Sequence, residues 1–152
     1  MKDTVAFQGI PGAYSEQAVR QHFGESVDVV PCQNFSELFE LTQSQEVRYS
    51  LLPVENALAG AVNQAHELLL DHDLRIQAEV ILHVHHCLLA PKGVTSDQIK
   101  HVRSHPQALA QCEKFLKRHA IEPIPAYDTA GSAKIVSNEK PENTGAIASA
   151  LA

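Results

Sequence analysis

Cations are scarce in this chain of 152 residues: 12 lysines and arginines stand against 18 aspartates and glutamates, a formal net charge of −6. A nucleic-acid surface needs clustered cations to displace counterions, so that class of partner is excluded. An anionic ligand would be held by local devices such as helix N-termini, histidines or a single cation. Cysteine is also scarce. Cys32, Cys87 and Cys112 are odd in number and far apart, with no C-x-x-C pair. That excludes a disulfide framework and suits a reducing compartment. No apolar run approaches the length of a membrane span. The opening MKDTVAFQGIPG is too polar for a secretory signal, so a cytoplasmic location is the expectation. Low-complexity segments and sequence repeats are absent as well.

What is present is a globular composition, 44% hydrophobic and 20% charged. Short apolar runs alternate with helical patterns. Strands are predicted at Thr4–Gln8, Val27–Pro31, Tyr49–Val54, Lys100–Ser104, Ile121–Tyr127 and Gly145–Ala148. Helices are predicted after a Ser15 cap, and over Asn34–Gln43, Val62–His72, Pro106–His119 and Thr129–Ser137. This alternation implies α/β architecture with mostly parallel sheets flanked by helices. The uniformly apolar Tyr49–Val54 reads as a buried parallel strand. Arg75–Ala90 is a β-favouring stretch longer than a usual strand and is expected to cross between two lobes, residues 1–76 and 77–152. The chain stops in AIASALA, a strand entering the start of a helix with no C-cap, so further sequence is expected to follow.

In open α/β sheets, ligands bind beyond the carboxyl ends of the strands. The four strand-to-helix junctions read QGIPGAYS, PVENALAG, SHPQALAQ and DTAGSA. Gly9 and Gly12 suit a tight βα turn, which needs glycine in any case, and they also permit a close backbone approach to an anion at a helix start. Glu55 and Asn56 fit a helix-entry turn. They also fit a cleft in which Asn56 donates to a carboxylate or hydroxyl while the small Ala57, Ala59, Gly60 and Ala61 leave room for a ligand. Ser104 suits an N-cap, with Pro106 in the first turn. Gln107 and Gln111, four apart, share a helix face. Asp128 or Thr129 would cap the next helix, and Thr129 and Ser132 could also face a ligand. Ser104 and His105 lack the G-x-S-x-G elbow of a nucleophile. His83 and His85 would share a strand face opposite His86, but no H-E-x-x-H or C-x-x-C completes a metal site.

In order, GIPGAYSEQA, LPVENALAGAV, HHCLLAPKGV, SHPQALAQCEKFL, DTAGSAKIV and GAIAS resemble the prephenate and arogenate dehydratases over essentially the whole chain. The resemblance implies two α/β lobes similar to type II periplasmic-binding proteins, with the active site in the cleft between them. It implies cofactor-free, metal-free loss of carbon dioxide and water from prephenate, forming phenylpyruvate in phenylalanine biosynthesis. It assigns Glu55, Asn56, Ser104 and Gln111 to the catalytic set. Gly12, Ala13, Ser15, Ala57, His105, Gln107, Thr129 and Ser132 are expected to line the substrate site. It further implies a small-molecule substrate, no nucleic-acid or membrane partner, and a homodimer in the full-length protein. Two departures stand out. Ala57 replaces the serine or threonine usual after Glu-Asn, and the family's Thr-Arg-Phe motif does not occur. These 152 residues are therefore expected to have little turnover by themselves.

Overall fold

The computed structural model describes residues 3–152. The chain divides into two compact units, the first ending at His83 and the second beginning at Val84. In the first unit, β1 (Thr4–Gln8), α1 (Tyr14–Phe23), β2 (Asp28–Cys32), α2 (Phe35–Gln43) and β3 (Tyr49–Leu51) follow one another. A short hairpin of β4 (Glu55–Asn56) and β5 (Gly60–Ala61) leads into α3 (Asn63–Asp71). The sheet is parallel, in the order β2-β1-β3.

β1 is central and buried on both faces. Val5 and Phe7 enter a cluster with Val19 of α1 and with Val27, while Ala6 faces Cys32, Val47, and Leu38 and Phe39 of α2. That two-sided burial is why the strand has no polar face. Phe7 and Leu38 are fully buried, each contributing on the order of 2–3 kcal/mol. α2 starts where its sequence says it should: the Asn34 side chain accepts from the Glu37 N–H at 3.0 Å.

The second unit contains β6 (Cys87–Leu89), a single 3-10 turn at Ser96–Gln98, β7 (His101–Ser104), α4 (Pro106–Gln111), α5 (Glu113–Arg118), β8 (Glu122–Pro125), α6 (Thr129–Glu139) and β9 (Thr144–Ala148). The strand order is β6-β9-β7-β8. β7 runs parallel to both β8 and β9, and β6 runs antiparallel to β9. Val102 and Ile147 pack with Leu109 and Leu116 of α4 and α5. Ala146 and Ala148 pack with Ala133 and Val136 of α6 on the other face. Both units therefore share one winding, with the second strand on one side of the first and the third on the other. Pro31 lies in β2, and Pro123 and Pro125 lie in β8, which are edge strands. Each lacks an N–H, so neither edge offers a continuous ladder to a further strand.

Several expected elements differ. The long strand over Arg75–Ala90 shrinks to Cys87–Leu89, and residues 73–86 have no regular element. Ile76 and Ile81 there are exposed. β-favouring side chains make a strand only where a neighbour supplies the ladder. The third strand ends at Leu51, ahead of Pro53, and is half-buried rather than buried. The helix expected over Pro106–His119 breaks at Cys112, whose φ of −95° and ψ of 4° leave the helical region. Ser15 does not cap α1, because the N-cap is Ala13 and Ser15 sits inside the first turn. Ser104 does not cap α4. That position belongs to His105, whose Nδ1 accepts from the Gln107 N–H at 3.2 Å.

Candidate active site

Within each unit the winding reverses direction at one place. In the first unit it lies between β1 and β3, and in the second between β7 and β9. The carboxyl ends of those strands form the topological switch points of the two sheets, where open α/β folds bind ligands.

After β1 the chain turns through Gly9, with φ of 123°, and Gly12, with φ of 91°. Both are left-handed values that favour glycine. The amides are already engaged. Gly9 N–H donates to the Cys32 carbonyl at 2.9 Å, and Gly12 N–H donates to Glu16 Oε2 at 2.8 Å. The expectation that these N–H groups wait for an anion is thus corrected, and the glycines shape the loop. Glu16 is buried, and Arg20 donates to its Oε1 from Nε at 2.8 Å and from Nη2 at 2.6 Å. The carboxylate reaches back to the entry loop as in a capping box and ties Gly12, Ala13 and the half-buried Ser15 to α1.

After β3 the chain forms the β4–β5 hairpin, not a helix entry. Glu55 pairs with Ala61 and Asn56 with Gly60, whose φ is 82°. Asn56 Oδ1 accepts from the N–H groups of Leu58 at 3.0 Å and Ala59 at 3.2 Å. This Asx turn engages the carboxamide oxygen, so the amide nitrogen is the end left to donate. Glu55 and Ala57 are exposed beside it.

In the second unit, Ser104 ends β7 fully buried. Its hydroxyl donates to the Ile147 carbonyl of β9 at 2.6 Å, and its own carbonyl accepts from the Ala126 N–H at 2.8 Å. Ser104 therefore clamps three strand ends together at the switch point. His105 is exposed and caps α4, and Gln107 is half-buried. Gln111, exposed at the end of α4, meets His86, with 2.6 Å between its Oε1 and Nε2 of the ring. Beyond β8, the Asp128 side chain accepts from the Gly131 N–H and caps α6. Thr129 opens that helix half-buried. Ser132 is buried, and its hydroxyl donates to the Asp128 carbonyl at 2.7 Å. A Cβ at Gly131 would lie 2.7 and 2.8 Å from the Asp128 carboxylate oxygens, so a side chain there would have to shift the capping carboxylate.

Three features escaped the reading by motif. Glu16 with Arg20 was legible as a carboxylate four residues after a glycine turn. His86 lay inside a quoted motif, but its contact is with a residue 25 positions away. Ser149, fully buried at the end of β9, had no local signal. Neither Cys32 nor Cys112 is a thiolate nucleophile: burial, aided by the Glu37 charge, pushes the Cys32 thiol up to about 11, and burial raises Cys112. Among the described residues no three histidines, cysteines or carboxylates come together to hold a metal, and no helix is long and apolar enough to cross a membrane. A surface cavity of about 330 Å³ lined by Pro91, Gln98, Lys140 and Asn143 lies at the opposite rim, where β7 and β9 begin.

Comparison with known proteins supplies the context for these strand ends. The family model described as prephenate dehydratase matches residues 5–152. An Arabidopsis thaliana protein named arogenate dehydratase/prephenate dehydratase 1, chloroplastic, is 44% identical over 151 residues, covering 99% of this chain and 38% of that protein. The chain thus spans well under half the length of the curated relatives it matches. Among solved structures, GqqA, described as a novel type of quorum quenching acylase, superposes with a TM-score of 0.90 at 36% identity, over 97% of this chain and 54% of that one. The prephenate dehydratase of Arthrobacter aurescens in complex with L-Phe superposes with a TM-score of 0.86 at 28% identity, over 97% of this chain and half (50%) of that one. An α/β chain whose switch-point loops carry these amide and hydroxyl groups, matched to one family from residue 5 to its last residue, belongs to the prephenate dehydratase family.

Proposed function

We propose that this chain supplies most of the substrate site of a dehydratase acting on prephenate or arogenate. The substrate is a cyclohexadiene with a ring carboxylate and, across the ring, a hydroxyl. The bond from the ring to the carboxylate carbon breaks, and carbon dioxide leaves. Its electron pair enters the ring, and the hydroxyl departs with one proton as water. Aromaticity is gained and supplies the driving force. The protein holds the ring, hydrogen-bonds the carboxylates and desolvates the departing one. In this reading the Asn56 amide nitrogen and the Gln111 amide grip polar edges of the ring. Glu55 orients or holds a proton, and Ala57 leaves space. The Gly12–Ser15 loop, His105, Gln107 and Thr129 line the site. Ser104 and Ser132, with hydroxyls turned to main-chain carbonyls, hold the strand and helix ends in register.

What supports the reading is the 44% identity over 151 residues with a protein named for both activities, together with Asn56, whose turn engages the amide oxygen and leaves the nitrogen to donate. The proposal includes α/β lobes each similar to those of type II periplasmic-binding proteins. It also includes a homodimer of the full-length protein and a cytoplasmic location. The test is product analysis of the full-length protein offered prephenate and arogenate together. Phenylpyruvate, phenylalanine or both are expected, and release of neither product overturns the proposal.

The likeness to GqqA makes acyl-amide hydrolysis a second reading. The local geometry does not favour it. Ser104 Oγ is turned to the Ile147 carbonyl and His105 Nδ1 to the Gln107 N–H, so this adjacent pair does not form a nucleophile and base. Release of a free acid from an N-acylated substrate, offered to the full-length protein in a separate assay, would reinstate it.

A further inference from the structure

We infer that His86 is a positioning residue that sets which end of the Gln111 carboxamide faces the substrate; this rests on the proposal that Gln111 touches the substrate. The placement follows from the sheet. β6 begins at Cys87, and Leu88 points into the cluster formed with α4 and α5, where Cys112 also packs. His86 directly precedes β6 and meets the end of α4 through Gln111. Gln111 immediately precedes Cys112, at the place where the helix breaks. The 2.6 Å contact between His86 Nε2 and Gln111 Oε1 therefore joins two segments that are both held by one core.

A glutamine exposed at a helix end has three side-chain torsions and samples many rotamers. Its amide also presents a donor or an acceptor depending on which way it is turned. His86 removes both freedoms. With the amide oxygen toward the ring, Nε2 carries the proton and donates, and the Gln111 NH₂ becomes the end left for a ligand. That is the end able to bond a carboxylate or the departing hydroxyl oxygen. Reversing the ring tautomer would make Nε2 an acceptor, turn the amide over and present an oxygen, which repels a carboxylate. The histidine acts as a selector of hydrogen-bond polarity and need not touch the substrate itself.

The experiment uses the full-length protein with prephenate as the probe and compares His86→Leu, His86→Gln, Gln111→Ala and the His86→Leu/Gln111→Ala double variant. Gln111→Ala is expected to lower kcat/KM. His86→Leu is expected to lower it by about tenfold, the scale of one oriented hydrogen bond, with kcat affected more than KM. His86→Gln, whose amide nitrogen can reach the position of Nε2 and donate to the same oxygen, should recover most of the loss, and the double variant should be no worse than Gln111→Ala alone. Nitrogen-15 spectra of the imidazole should show His86 protonated at Nε2. His86→Leu with wild-type kinetics beside an impaired Gln111→Ala would overturn this inference and leave the site reading intact. So would losses that multiply in the double variant, or an Nδ1-protonated neutral ring. A Gln111→Ala variant with unchanged kinetics would overturn both. A His86→Gln variant that keeps the parent melting temperature yet shows the full loss would also count against the inference, because the donor would then be irrelevant.

Discussion

Replacing Glu16 with alanine removes a carboxylate that is 4% exposed and accepts from Gly12 N–H, Arg20 Nε and Arg20 Nη2. Two groups lose their partner at once. The Gly12 N–H is buried, and leaving such a donor unmatched costs about 1–3 kcal/mol. The Arg20 side chain is 22% exposed and keeps a hydrogen bond to the Glu25 carbonyl at 2.9 Å, so water and Glu25 recover part of its loss. Breaking a buried ion pair from one side costs about 3–5 kcal/mol, and partial exposure of Arg20 places this case at the low end. The expected destabilisation is about 3 kcal/mol. At about 2–4 °C per kcal/mol for a chain of this size, the melting temperature should fall by roughly 6–12 °C. Glu16→Gln keeps one acceptor oxygen, which can serve either Gly12 or Arg20 while its NH₂ faces the other donor, so it should recover only part of the loss. Urea and thermal unfolding by circular dichroism measure the ranking, and hydrogen exchange at the β1 amides assigns it to the first unit. A Glu16→Ala protein within about 0.5 kcal/mol of the parent, the range of ordinary surface changes, would refute the reasoning. It would mean that the carboxylate is solvated and the Gly12 turn does not depend on it.

Further outcomes are expected. Asn56→Asp keeps the Oδ1 acceptor of the Asx turn and loses the amide donor; melting should hardly change while kcat/KM for prephenate in the full-length protein falls about 10- to 100-fold, the scale of a hydrogen bond to a charged group. Gly145→Ala places a Cβ 2.8 Å from the Leu89 carbonyl oxygen, between β9 and β6. Backbone cannot give way cheaply, so a loss of about 1–3 kcal/mol is expected in urea unfolding. The folded Cys32 thiol is raised to about 11 by burial first and by Glu37 second. The folded state thus holds its proton at pH values where the unfolded chain has released it, and stability from this group falls as pH rises from about 9 toward 11. Iodoacetamide at pH 8 should label Cys32 only after unfolding, as read by mass spectrometry.

Much of this was legible locally. β1 matches its apolar run residue for residue, and Asn34 caps α2 as its side-chain chemistry dictates. The small and polar residues of the four junctions do lie at strand ends, because an α/β alternation puts them there whatever the packing. Legibility failed where the outcome depended on a distant partner. Arg75–Ala90 has strand chemistry, but only Cys87–Leu89 finds a neighbour, the antiparallel β9 reached 57 or more residues later in the chain. Ser104 looked like a cap by its position before Pro106, yet the Ile147 carbonyl draws its hydroxyl into the sheet and leaves the cap to His105.

Sequence by itself determined most of the element types and the family, since periodicity and motif order are local properties. Tertiary structure alone decided which polar side chains remain available. It turned Ser104 inward to Ile147 and gave Gln111 to His86, because a hydrogen bond forms with whatever partner the packed chain brings within about 3 Å, at any distance in sequence.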